Sequence, residues 1–193
     1  MSPATSPTSN RFTSAELRFL VGGAWLPAAD LDPATLLDGW LAADHLRCCT
    51  FQGGLFLDVD GDAWSDAGTV DELWMTTAWF RAADALGAGA EGFGPTAGPW
   101  EESQLVWRRD GDHVVLEDLH PTGNVSMRPI RVPLDHLLGT VGALRARFWE
   151  LVEGARALAA ERRAAAAGTE ASRFAVVLAQ LPEPEPEPPA RAG

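Results

Sequence analysis

The chain has 193 residues, 46% of them hydrophobic and 22% charged, enough for one domain with a sizeable core and loose ends. Its 27 acids outnumber 15 bases, all arginine because the sequence has no lysine, and the net charge of −12 removes any general attraction to phosphate backbones. No uncharged apolar run of about 20 residues is present, and the opening MSPATSPTSNR lacks the apolar centre of a signal peptide. The expectation is a cytoplasmic protein that binds neither nucleic acid nor membrane.

Residues 1–12 are rich in Ser, Thr and Pro and are expected to be disordered, as is the tail 181–193, whose EPEPEPP run has too little apolar content to repay ordering. Between them, 13–180 reads as a single domain. Glu16 to Val21 is a predicted strand that ends at Gly22-Gly23, with Ala24-Trp25-Leu26 as its return. Asp32 before Pro33 supplies an N-cap and a first-turn proline for a helix reaching about Asp44, with Leu36, Leu37, Trp40 and Leu41 on its apolar face. Leu46–Phe51 and Leu55–Val59 are β-favouring runs, and Gln52-Gly53-Gly54 between them predicts a hairpin.

Thr69-Val70-Asp71-Glu72 matches a capping box at the start of a helix over about 70–86. At 100° per residue, Leu73, Met75, Trp79, Phe80, Ala83 and Leu86 share one broad side, and Trp74 falls on the other with Asp71, Arg81 and Asp84. Gly87 to Gly98 has no period and is expected to be a loop. Gln104–Arg108 and His113–Glu117 flank Asp110-Gly111, the strongest hairpin marker in the chain. Arg128–Val132 predicts one more strand. Pro133 then opens a long helix whose stripe of Leu134, Leu137, Val141, Leu144, Phe148, Leu151, Val152 and Ala155 is expected to stay packed to near Leu158, with a frayed extension beyond. Phe174–Leu178 is a further apolar run. The order predicts an α+β fold: a mostly antiparallel sheet of about five to six strands with two or three helices packed on one side.

The charge is uneven. Residues 1–96 carry 13 acids and 4 bases, and between Cys48 and Phe80 stand six acids, Asp58, Asp60, Asp62, Asp66, Asp71 and Glu72, with no base. Trp64 and Trp74 lie beside this stretch and fit no inward stripe, so they are expected as exposed rings in a one-sign field. Charges that steer and a ring that anchors are the ingredients of a protein-binding patch. The expected contact residues are Asp58, Asp60, Asp62, Trp64, Asp66, Asp71 and Trp74, and the expected partner is a protein with a basic surface.

Other constellations are poorer. The adjacent Cys48 and Cys49 do not suit a disulfide and read as reduced thiols. His45 with these cysteines, completed by His113 or His120, lacks the usual zinc spacing. The calcium-loop template fails because Ala63 stands at its glycine position and Thr69 at its bidentate acid. Glu101-Glu102 and Glu117-Asp118 are adjacent acids that point apart on a strand. Arg145, Arg156 and Arg163 share a helix edge, but nearby Glu150 and Glu153 make it a salt-bridged surface. No catalytic residue, metal or cofactor is expected.

Gly54-Leu55-Phe56-Leu57-Asp58-Val59-Asp60-Gly61-Asp62 resembles the first motif of haloacid-dehalogenase-type phosphohydrolases over nine residues. The resemblance implies a Mg²⁺-dependent phosphoryl transfer in which Asp58 attacks phosphorus and Asp60 moves a proton. Asp62 replaces the family's Thr, and the usual downstream Lys has no counterpart in a lysine-free chain. As a whole, the Trp64–Leu86 turn and helix, the Trp100–Asp118 hairpin and the Pro133–Val152 closing helix resemble small acidic bacterial proteins akin to the immunity proteins of polymorphic-toxin systems. That resemblance implies a non-enzymatic inhibitor that covers a basic toxin with an acidic face. The remaining alternative is an adaptor that works through its Pro-rich tail.

Overall fold

A computed structural model describes residues 9–42, 51–65, 73–97, 104–118 and 128–184. Within them the chain runs β1 (Phe12–Val21), β2 (Ala24–Pro27), a 3-10 turn at Ala28–Asp30, α1 (Pro33–Ala42), β3 (Gly53–Val59) and β4 (Asp62–Ser65). There follow α2 (Leu73–Gly87), β5 (Gly92–Ala97), β6 (Gln104–Asp110), β7 (His113–Asp118), β8 (Ile130–Pro133), α3 (Leu134–Ala165) and α4 (Gly168–Gln180). The α+β class is as expected, but the described residues form eight strands, in two antiparallel four-stranded sheets ordered β2-β1-β3-β4 and β5-β6-β7-β8, and four α-helices.

In the first sheet Leu17, Phe19, Leu55, Leu57 and Val59 alternate inward, while Glu16, Arg18, Phe56 and Asp58 face out. α1 starts as its sequence dictates: Asp32 Oδ1 accepts the Thr35 N–H at 2.7 Å, and Leu36, Leu37 and Trp40 are buried. The second sheet turns Leu105, Trp107, Val114, Leu116, Ile130 and Val132 inward. α3 touches β1 of one sheet and β7 and β8 of the other, so both sheets and all the helices enclose one core. Its centre is aromatic. Phe148 of α3 meets Phe19 at 6.0 Å and Phe80 at 5.2 Å, and Trp79 of α2 stands edge-on between Trp64 of β4 and Trp107 of β6.

Several expectations change. Gly53 and Gly54 lie inside β3 rather than in a turn; a Cβ on Gly53 would stand 2.6 Å from Leu73 Cδ2 and 2.8 Å from Phe19 Cδ1, so this glycine lets α2 and β1 approach. The first arm of the expected hairpin, 46–50, lies outside the described residues, and so does the capping box at 69–72. The expected loop after Gly87 contains β5, which pairs with β6 despite poor strand propensity; a Cβ on Gly92 would meet the Trp107 carbonyl at 2.8 Å. α3 does not fray at Leu158: Ala159 is buried, Arg162 forms an ion pair with Asp38 of α1, and α4 folds back to bury Phe174 and Val177.

Both expected loose ends are also held where they are described. The N–H of Asn10 donates to the Arg131 carbonyl at 2.7 Å, the Arg131 N–H to Asn10 Oδ1 at 2.9 Å, and the Phe12 N–H to His136 Nε2 at 3.1 Å. Residues 9–12 therefore stitch the first sheet to the second. At the other end Leu181 is buried and Arg156 bonds the carbonyls of Leu181 and Pro182.

Candidate protein-binding face

Four of the seven expected contact residues lie on the β3–β4 hairpin. Val59 pairs with Asp62, so Asp60 and Gly61 form a two-residue turn, and both have positive φ, 56° and 92°. Asp and Gly tolerate that conformation, which matches the twist of the strands. Asp58 is half-buried on the outer face of β3, whereas Asp60 and Asp62 are exposed.

Asp60 already has partners. Its carboxylate accepts the Asn10 side-chain amide at 2.6 Å and the Arg11 backbone N–H at 3.0 Å, and these two bonds, in that order, hold the carboxyl below the usual aspartate range. Beneath it, Thr13 Oγ1 accepts the Gly61 N–H and donates to the Asp58 carbonyl. Asp62 stands 3.8 Å from Arg128, whose guanidinium also bonds the Val59 carbonyl at 2.8 Å. Asp60 thus fastens the chain from Asn10 to the hairpin, Asp62 stays exposed beside Arg128, and Asp58 stays half-buried on the outer face.

Trp64 corrects the expectation of an exposed anchor. A register shift between Leu57 and Asp58 leaves Ala63 opposite Asp58 and Ser65 opposite Leu57, so Trp64 and Ser65 both turn inward. The indole is 5% exposed, lies edge-on to Trp79, and donates its Nε1–H to the Arg128 carbonyl at 2.7 Å. Asp66 and Asp71 lie outside the described residues, and Trp74 is described for its backbone alone.

The phosphohydrolase-like segment meets a different environment from the one its motif implies. Asp58 sits in an antiparallel strand flanked by β1 and β4, the chain reverses immediately after it, and the Asp60 carboxylate is bonded to Asn10 and Arg11. Among the described residues no group of three His, Cys, Asp or Glu side chains is placed to hold a metal. His45, Cys48, Cys49 and His120 lie outside them, and His113 faces Asp112 and Ser9.

The arginines explain how the charge is displayed. Arg109 bonds the carbonyl of Leu86, Arg128 that of Val59, Arg145 that of Phe80 and Arg173 that of Leu41, while Arg147 bonds both Ala28 and Leu31. Arg156 likewise bonds Leu181 and Pro182, so most of these guanidiniums meet main-chain oxygens near the ends of strands and helices, while Arg145 reaches Phe80 within α2. Three of the six also pair with carboxylates: Arg128 with Asp62, Arg145 with Asp84 and Arg147 with Glu150. Arg145 and Arg156, expected on one helix edge with Arg163, are committed in this way, Arg145 also to Asp84.

Outside the hairpin, a cleft of about 660 Å³ opens beside Asn10 on the second sheet, edged by Arg108, Asp110, Val115, Glu117 and Arg131. Its charges pair across strands, Arg108 with Glu117 at 3.2 Å and Arg131 with Asp110 at 2.7 Å. Asn10 joins cleft and hairpin, a link that sequence cannot suggest because its partners Asp60 and Arg131 are 50 and 121 residues away. No protein-family model matches the chain, and no curated protein and no solved structure matches it. Among the described residues, no helix is long and apolar enough to cross a membrane.

Proposed function

We propose that the protein is a non-enzymatic binding module that grips a basic protein through an acidic face, as an immunity-type inhibitor grips its toxin. The observation that carries the reading is the charge excess: 27 acids stand against 15 arginines, and the surplus of carboxylates remains although Arg128, Arg145 and Arg147 pair with Asp62, Asp84 and Glu150. Asp58 and Asp62, on one hairpin, are the described members of the contact set available to a partner, and Asp60 fixes the hairpin that presents them. Long-range attraction between such a face and a basic protein speeds association and selects against acidic competitors.

The test uses the product of the reading frame immediately upstream as the candidate partner. Wild type is expected to bind it with an association rate that falls steeply between low and high salt, and Asp58→Asn with Asp62→Asn is expected to slow association about tenfold with dissociation little changed. Tight Mg²⁺ or Mn²⁺ binding in calorimetry, with a phosphatase activity lost in Asp58→Asn, would replace this reading with phosphoryl transfer. Partner capture abolished by removing the residues after Leu181 would replace it with the adaptor.

A further inference from the structure

Ser9, Asp112 and His113 converge although Ser9 and His113 are 104 residues apart in the chain. His113 Nδ1 lies 2.5 Å from Asp112 Oδ1, and His113 Nε2 lies 3.0 Å from Ser9 Oγ. An ionised carboxylate only accepts, so Nδ1 carries the ring proton and Nε2 offers its lone pair to the Ser9 hydroxyl, which donates. The hydrogen bond from His113 is the chief cause that holds the Asp112 carboxyl below the usual range, which keeps that acceptor ionised. Carboxylate, imidazole and hydroxyl in this sequence of contacts are the arrangement by which a histidine draws the proton from an attacking serine.

The surroundings suit a reaction. Asp112 and His113 sit at the tight β6–β7 turn, and Ser9 is exposed on a backbone pinned from the next residue onward by the two Asn10–Arg131 bonds. The cleft beside Asn10 begins next to these groups: Asp110 is the cross-strand partner of His113, and Val115 follows it on the same face of β7. With guanidiniums and carboxylates around Val115, it suits a short acyl group better than a long alkyl chain.

We propose that Ser9 is a nucleophilic modification site that accepts an acyl group from a thioester or activated ester held in this cleft, with His113 as general base and Asp112 as its positioning residue. Ser9 Oγ attacks the carbonyl carbon while its proton passes to His113 Nε2. The tetrahedral adduct collapses, the acyl–sulfur or acyl–oxygen bond breaks, and His113 returns the proton to the leaving group. One O-acylated serine and one free thiol or alcohol result. Asn10 links this site to the hairpin through Asp60, but neither Asp58 nor Asp62 takes part in the acylation, so its test is read separately from that of partner binding.

The test incubates the full chain with p-nitrophenyl acetate and, in parallel, with acetyl-coenzyme A, and follows acetylation by intact mass and peptide mapping. Ser9 is expected to be acetylated in wild type by at least one of the two and unlabelled in Ser9→Ala. In His113→Gln labelling is expected to fall about 100-fold, the lower end of the range for a positioned general base, and to be restored by imidazole in solution. In Asp112→Asn it slows, with the pH profile of the reaction displaced. No Ser9 adduct from either reagent, or labelling equally fast in His113→Gln, would show that the three groups only tether the N-terminal segment.

Discussion

Trp64 separates a ring that holds the fold from a ring that waits for a partner. The indole is 5% exposed and packs against Trp79, which in turn meets Trp107, so one chain of aromatic contacts ties β4 through α2 to the second sheet. Trp64→Ala removes that packing and leaves the Arg128 carbonyl without its donor. Truncation of a buried tryptophan costs about 3–5 kcal/mol. Trp64→Phe keeps an aromatic ring in the pocket and loses mainly the Nε1–H bond, for about 1–2 kcal/mol. Guanidinium titration followed by circular dichroism is expected to show the unfolding midpoint falling in the order wild type, Phe, Ala, with the slope unchanged. In a thermal scan each kcal/mol appears as a loss of about 2–4 °C for a chain of this size. A Trp64→Ala protein with the wild-type midpoint would place the ring at the surface.

Other expectations follow from the same contacts. Because Asn10 and Arg11 lower the folded pKa of Asp60, its contribution to stability is complete above about pH 4 and is lost as the pH falls through the lowered value; Asp60→Asn, which tolerates the same positive φ, should flatten this part of the acid transition, and an unchanged transition would deny the tether. Gly92→Ala places a methyl 2.8 Å from the Trp107 carbonyl, and strain of about 1–3 kcal/mol should appear as a lowered midpoint and faster amide exchange in β5 and β6. Arg147→Met keeps the aliphatic stem and strips the donors from the Ala28 and Leu31 carbonyls, for about 1–3 kcal/mol, and Arg147→Lys should recover only part of it because one ammonium lacks the planar fork.

Local rules made much of the frame legible. Gly22-Gly23 and Asp110-Gly111 marked their hairpins, Asp32-Pro33 marked the start of α1, and the spacing from Leu137 to Ala155 marked the buried stripe of α3. What stayed hidden depends on distant partners. Gly92 and Pro95 speak against a strand, yet β6 on one side and α2 packed against it make β5, and Gly53 reads as a turn until Leu73 and Phe19 are seen above it. An alanine-rich end of α3 has no visible reason to stay helical without α4 covering it. At the candidate face the acids could be read from the sequence, but the turn was expected at Gln52-Gly53-Gly54 and lies at Asp60-Gly61. The engagement of Asp60 by Asn10 and the inward turn of Trp64 depend on a strand register and on a segment 50 residues earlier in the chain.

If carboxylates on the β3–β4 hairpin draw in a basic protein, stopped-flow association with the upstream reading frame's product should reveal it. Rates measured from low to high salt should fall steeply for wild type, and Asp58→Asn with Asp62→Asn should lower both the rate and its salt slope. Association that is indifferent to salt and to both substitutions would show that the hairpin acids do not steer a basic partner.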